Sequence, residues 1–195
     1  MKHRLINVSR EGEIPERYRH SPVGELLRCH NMGGEPAPCA APRLVTVMCM
    51  DSRKTLRVPR NFSFVVRNSG GTVTGVSFAI SYALAVGGID HLAVIGHSDC
   101  RMVDLAAQRE AFVAGLVGRW GWDAEAARRH FDEMAPRFGK VDAVESVLRD
   151  VRLIRSIYPG LTAAPLFYLV EDDRLYLVDE SDGELREDGG AGTPD

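Results

Sequence analysis

Leu92-Ala93-Val94-Ile95-Gly96-His97-Ser98-Asp99-Cys100 decides how the chain reads, together with Val45-Thr46-Val47-Met48-Cys49-Met50-Asp51-Ser52-Arg53. Each is an apolar run that stops at a residue able to bind a metal. Runs that are apolar throughout, rather than at alternate positions, are strands buried on both faces. In an open sheet of such strands, ligands bind just beyond the carboxyl ends. Two neighbouring strand ends would bring Cys49, His97 and Cys100 to one crevice. Three donors leave a fourth position free, which separates a catalytic zinc site from a closed structural one. Two thiolates and one imidazole also neutralise Zn²⁺ and match its borderline softness. The bland alternative makes Cys49 a small core hydrophobe and His97 a cap on the next helix. The coincidence of both strand ends speaks against it.

Working outward, Arg43–Met48 and Phe62–Val66 read as strands, the second ending in Arg67-Asn68-Ser69-Gly70-Gly71. The glycines of that turn permit positive φ and close approach of backbone to a ligand. Thr72 or Thr74 is expected to cap a helix reaching about Val86, apolar nearly all round and therefore sandwiched. Gly87-Gly88 ends it. The strand His91–Ile95 follows, then a helix from about Cys100 to Val117. A further helix, Asp123–Ala135, is expected to close at Pro136, and a longer one to run from Lys140 to Ile157. In the latter Val144, Val147-Leu148, Val151 and Ile154 recur every three or four residues. Ala164–Val170 and Leu175–Val178 are the last two strands. This order predicts an α/β fold, a mostly parallel central β-sheet flanked by helices, with an N-terminal extended and helical arm.

The arm is residues 1–42, rich in Pro and Gly and poor in core residues, and expected to lie across its own domain or a partner subunit. Within it only Ser21–His30 favours a helix, with Ser21 as N-cap and Pro22 at the first helical position. Residues 43–180 form the zinc-binding domain, and the Gly/Asp/Glu-rich residues 181–195 are expected to be a flexible tail. Cys29 and Cys39 fit no common zinc spacing and read as plain thiols.

Composition sets the outer limits. A 195-residue chain with 45% hydrophobic residues can bury a real core. A formal charge of −3, with Arg scattered, counts against a nucleic-acid partner. Met1–Asn7 leads into no apolar run, so no signal peptide is expected, and no stretch is apolar for long enough to span a membrane. Four cysteines without an export signal suit a reducing, cytoplasmic setting.

Asp51 and Arg53 sit two residues apart beside the expected metal. A carboxylate there orients a metal-bound water, and a guanidinium holds the carboxylate in a bidentate pair. Two other readings stay open: Asp51 fills the fourth zinc position, or the two form an ordinary surface ion pair.

In order and spacing, Cys49-Met50-Asp51-Ser52-Arg53, Arg67-Asn68-Ser69-Gly70-Gly71 and Gly96-His97-Ser98-Asp99-Cys100 resemble three signatures of the β-class carbonic anhydrases. Ser81-Tyr82-Ala83 and Val144-Glu145-Ser146-Val147 resemble the family too, so the likeness covers roughly residues 43–180. It implies a zinc enzyme that reversibly hydrates carbon dioxide to bicarbonate by zinc-hydroxide attack. The implied ligands are Cys49, His97 and Cys100, with Asp51 and Arg53 as the orienting pair. Ser69, Gly70, Gly71 and Arg101 are the expected substrate-binding residues. The resemblance also implies a homodimer or dimer of dimers, embraced by its N-terminal segments.

The sequence departs from the family in two places. Arg101 stands where the family usually has Gly, and it either narrows the pocket or places a cation near a bound anion. No Gln lies between Met1 and Cys49, where many members carry one that binds substrate. The Gly115–Lys140 insertion, with Trp120 and Trp122, resembles a subgroup whose relatives include carbonyl sulfide hydrolases. Hydrolysis of COS or CS₂, or a non-catalytic zinc- or anion-binding role, therefore stand as alternatives. His91 and His130, considered as proton exits, read rather as surface or structural residues.

Overall fold

The computed structural model describes residues 5–33 and 38–181. In chain order its elements are β1 (Leu5–Asn7), α1 (Glu16–Arg19), α2 (Pro22–Leu27), β2 (Leu44–Cys49), β3 (Ser63–Asn68) and α3 (Ser77–Ala85). They continue with β4 (His91–His97), α4 (Arg109–Trp120), α5 (Ala124–Phe138), α6 (Ala143–Ile157), β5 (Thr162–Leu169) and β6 (Arg174–Val178). The six strands form one sheet in the order β1-β6-β5-β4-β2-β3. The four inner and edge strands β3, β2, β4 and β5 are parallel, and β6 and β1 are antiparallel additions. The expected α/β architecture with a mostly parallel sheet is therefore present.

Continuous apolar runs make the central strands because both sheet faces are covered. All six residues of β2 are buried. Successive side chains alternate between faces. Leu44 and Met48 pack with Ile95, Tyr168 and the arm residues Val8, Ile14, Tyr18, Val23, Leu26 and Leu27. Val45 and Val47 pack on the other face with Val94, Ile80 of α3 and Val147, Val151 and Ile154 of α6. Each such aliphatic side chain contributes about 1.5–3 kcal/mol of burial. Residues 5–33 thus cover one face of their own sheet. Ser21 caps α2, its hydroxyl accepting the Val23 and Gly24 N–H groups. Asn31 stitches the arm down: its amide donates to the Val8 and Leu175 carbonyls at 2.9 and 2.7 Å, and its carbonyl accepts the Leu175 N–H. The tail expected at 181–195 lies, beyond Ser181, outside the described residues.

Several helix ends differ from expectation, each for a local reason. Neither Thr72 nor Thr74 caps α3. The Asn68 side chain brackets Thr72, accepting its N–H and donating to its carbonyl, and the helix starts only after Val76. α3 is also not sandwiched within this chain, because Phe78 is 81% exposed and Tyr82 and Val86 lie on the same outer face. α4 begins at Arg109 rather than near Cys100. Asp99 and Asp104 take left-handed conformations, and Lys140 pairs with Met102 and Asp104, so residues 98–104 stay irregular. Pro136 does not end α5, which runs to Phe138. A proline in the last turn removes a single ladder bond. α6 starts at Ala143, capped by Asp142, which accepts the Glu145 N–H at 2.8 Å.

Candidate metal centre

β2 and β4 lie side by side, with Met48 opposite Ile95, so their carboxyl ends open into the same space. Among the described residues, Cys49, His97 and Cys100 form a buried group of metal-donor side chains whose donor atoms lie within 4.8 Å of one another. The predicted trio is therefore brought together. A tetrahedral zinc with bonds of about 2.0–2.3 Å joins such donors with small adjustments.

The protonation pattern fits a metal. His97 Nδ1 lies 2.7 Å from the Ser98 carbonyl, which only accepts, so Nδ1 carries the proton. Nε2 is left with its lone pair, buried and without a hydrogen-bond partner. A buried polar atom left unpaired costs free energy, and a metal ion removes that cost. This is the second-atom hydrogen bond that fixes ligating histidines elsewhere. The two thiols share one proton. Cys100 donates to Cys49, and the N–H groups of Asp51 and Gly70 add further support, so Cys49 is held down as a thiolate. The neighbouring thiolate and burial push Cys100 up. A divalent cation is the natural replacement for that shared proton.

Asp51 is not a member of the donor group. Arg53 grips its carboxylate, Nη2 at 2.7 Å from Oδ2 and Nε at 3.1 Å from Oδ1, and the Arg53 N–H donates to Oδ1 at 3.0 Å. The guanidinium holds Asp51 far below the usual carboxylate range. The same guanidinium reaches Asp99, at 2.6 Å from its carboxylate and 3.1 Å from its carbonyl. One arginine thus ties the loop after Cys49 to the turn before Cys100.

Cys49, Asp51, Arg53, Asp99, Cys100 and Arg101 line an open pocket of about 540 Å³, with Met50 and Met102 supplying thioether walls. Arg101 therefore faces the pocket. Ser69, Gly70 and Gly71 are not among the residues lining this pocket; the Gly70 N–H supports the Cys49 sulfur, and Gly71 packs behind the Cys49 backbone. Gly71 has φ +65, and a Cβ there would sit 2.5 Å from the Cys49 nitrogen.

Four residues that sequence reasoning passed over hold this arrangement. Arg67 donates to the carbonyls of Cys49 at 3.0 Å and Lys54 at 2.9 Å, fixing the loop between them. Lys54, 1% exposed, donates to the Asp51 carbonyl at 3.0 Å. Lys140 and Asp150 are buried nearby. Arg67 was visible inside a motif; Asp150, directly after Arg149 on a helix that also carries Glu145 and Arg152, gave no signal of its own. His91 pairs with Asp90, and His130 lies between Phe112 and Trp122 on the α4–α5 hairpin.

A carbonic anhydrase family model matches residues 44–166, well over half of the chain. A carbonic anhydrase of Pseudomonas aeruginosa is 34% identical over 119 residues, covering 53% of this chain and 54% of that protein. The chain thus matches about half the length of this curated relative. Among solved structures, β-carbonic anhydrase isoform I of Trichomonas vaginalis superimposes with a TM-score of 0.62 at 16% identity. It covers 75% of this chain and 88% of that one. The apo form of a carbon disulfide hydrolase gives 0.53 at 20% identity, over 79% and 88%. At these identities the structural likeness speaks to the fold, and the fold agrees with the sequence match and with the three motifs. The chain belongs to the β-carbonic anhydrase family.

Proposed function

We propose that this protein is a zinc-dependent carbonic anhydrase that interconverts carbon dioxide and bicarbonate in the cytoplasm. The observation that carries the proposal is the buried Cys49, His97 and Cys100 trio beside a pocket whose wall is the Asp51–Arg53 pair. Bound there, zinc would supply a strong Lewis acid that lowers the pKa of water towards neutrality, an effect for which carbonic anhydrase is the standard example. The chain's residues do the rest. Asp51, kept ionised by Arg53, accepts a hydrogen bond from the attacking water and orients it. Its carboxyl lies too low to serve as the proton's resting place. Arg101 puts a cation on the pocket wall, where an anionic product is electrostatically favoured.

Stopped-flow carbon dioxide hydration by zinc-loaded protein across pH 6.5–9 tests the reading. Activity is expected to rise with pH, and Arg101→Gly is expected to widen the pocket and retain or raise it. If neither protein hydrates carbon dioxide while both hold zinc, the proposal is wrong. COS and CS₂ then become the substrates to try, favoured by the thioether walls of Met50 and Met102, and a binding role follows if they too are inert.

We further propose that two copies pair through α3. Phe78, Tyr82 and Val86 form a stripe one helical turn apart, and each is more than half exposed. A contiguous apolar stripe of this kind marks a protein contact. Sedimentation of the native protein is expected to give at least a dimer, and Phe78→Glu a monomer. A monomeric native protein would refute the assignment.

A further inference from the structure

The turn behind Cys49 is gripped from a side that the proposed chemistry does not use. Gly71 presses on the Cys49 backbone, and Thr72 and Val73, which follow, are buried. Val73 is fixed by its N–H, which donates at 3.1 Å to Asp150 Oδ2 on α6. Asp150 is 1% exposed. A carboxylate so buried is costly unless its oxygens are satisfied, and Oδ1 takes Arg149 at 3.2 Å.

Lys140 works on both cysteine-bearing segments at once. Its N–H donates to the Met102 carbonyl at 2.8 Å, and its carbonyl accepts the Asp104 N–H at 3.2 Å, so its backbone is stitched to the chain just after Cys100. Its side chain turns the other way. The Cε atom fills the space in front of Gly70, 2.9 Å from where a Cβ would stand. Gly70 in turn directs its N–H at the Cys49 sulfur. Burial holds the Lys140 ammonium below its ordinary pKa, and the field of Cys100, Asp150 and Cys49 offsets only part of that cost. A buried lysine is rare without such partners.

We propose that Asp150 and Lys140 are positioning residues of the metal centre, which set the spacing between the Cys49 and Cys100 sulfurs. The proposal rests on the zinc reading above. Neither residue touches substrate: Asp150 acts through Val73 and the glycine turn, and Lys140 acts through Gly70 and Met102. Outer groups that orient metal ligands commonly carry about 10- to 100-fold in metal affinity.

The test is Co²⁺ substitution, with chelator competition for affinity and the visible absorption of the bound ion for coordination geometry. Asp150→Ala, Asp150→Asn and Lys140→Met are compared with wild type, and far-ultraviolet circular dichroism confirms that each is folded. Asp150→Ala and Lys140→Met are expected to lose about tenfold or more in affinity and to weaken the tetrahedral bands. Asp150→Asn, which keeps an oxygen for the Val73 N–H, is expected to stay near wild type. A purely structural role predicts otherwise: lower melting for Asp150→Ala, no loss for Lys140→Met, and wild-type spectra throughout. That result would overturn the proposal even if wild type binds metal. Should Asp150→Ala fail to fold, Lys140→Met decides. Wild-type protein that takes up no cobalt would overturn the metal reading itself, and the positioning role with it.

Discussion

Cys49→Ser protein is expected to emerge from purification without stoichiometric zinc. The side chain is one of only three donors in the cluster and the one already held as a thiolate by its neighbours. A serine hydroxyl is nearly isosteric, so the fold loses little packing. It stays protonated at neutral pH, however, and a neutral hydroxyl is a poor ligand beside one thiolate and one imidazole. The remaining pair, His97 and Cys100, leaves two positions unfilled. Metal analysis per folded chain, after dialysis against a chelator, is expected to fall from about one in wild type to near zero. Cys49→Ser that retains one zinc would show that the ligand set is different.

Gly71→Ala is expected to be strongly destabilising. Two costs add. Gly71 lies at φ +65, where an L-residue is strained by about 1–2 kcal/mol. The new Cβ would also lie 2.5 Å from the Cys49 nitrogen and 2.7 Å from the Met48 carbonyl carbon. Those are backbone atoms of a fully buried strand, so no side-chain rotation relieves the overlap, and overpacking of this kind costs about 1–3 kcal/mol. Together the loss is about 3 kcal/mol, equivalent to a drop in Tm of roughly 6–12 °C for a chain this size. Gly88→Ala is the control. Its φ is +67, yet nothing lies within 4 Å of its Cβ position, so it isolates the conformational part. Equal melting temperatures for the two variants would show that the Gly71 contact is not tight. Displacement of Cys49 in Gly71→Ala is further expected to weaken metal retention, an effect Gly88→Ala lacks.

How much of this was legible depends on how local the cause is. Leu92–Ile95 and Val45–Met48 announce buried strands through their own side chains, and the motifs at their ends announce the donor trio. The pairing of Asp51 with Arg53 is equally local, two residues apart. β1 is not legible: Leu5–Asn7 is three residues long and is a strand only because β6 offers it an edge. The start of α3 was missed because Asn68 captures Thr72, a contact whose geometry follows from the glycine turn rather than from the threonines. The start of α4 was missed because Lys140, far along the chain, pairs with Met102. Burial of Asp150 depends on a partner 77 residues away, the Val73 N–H. The three donors could therefore be read from sequence, while the residues that hold them could be read only from tertiary contacts.

The pairing of β1 with β6 has a consequence for biosynthesis. Leu5 meets Val178, and Asn31 meets Leu175. At about 5–20 residues per second, the arm emerges from the ribosome on the order of ten seconds before its partner strand exists. During that interval Leu26, Leu27 and Tyr18 have part of their sheet face but no β6 to anchor them. The antiparallel edge of the sheet therefore closes only after β6 has emerged, although its first strand is the first part of the described chain to be made.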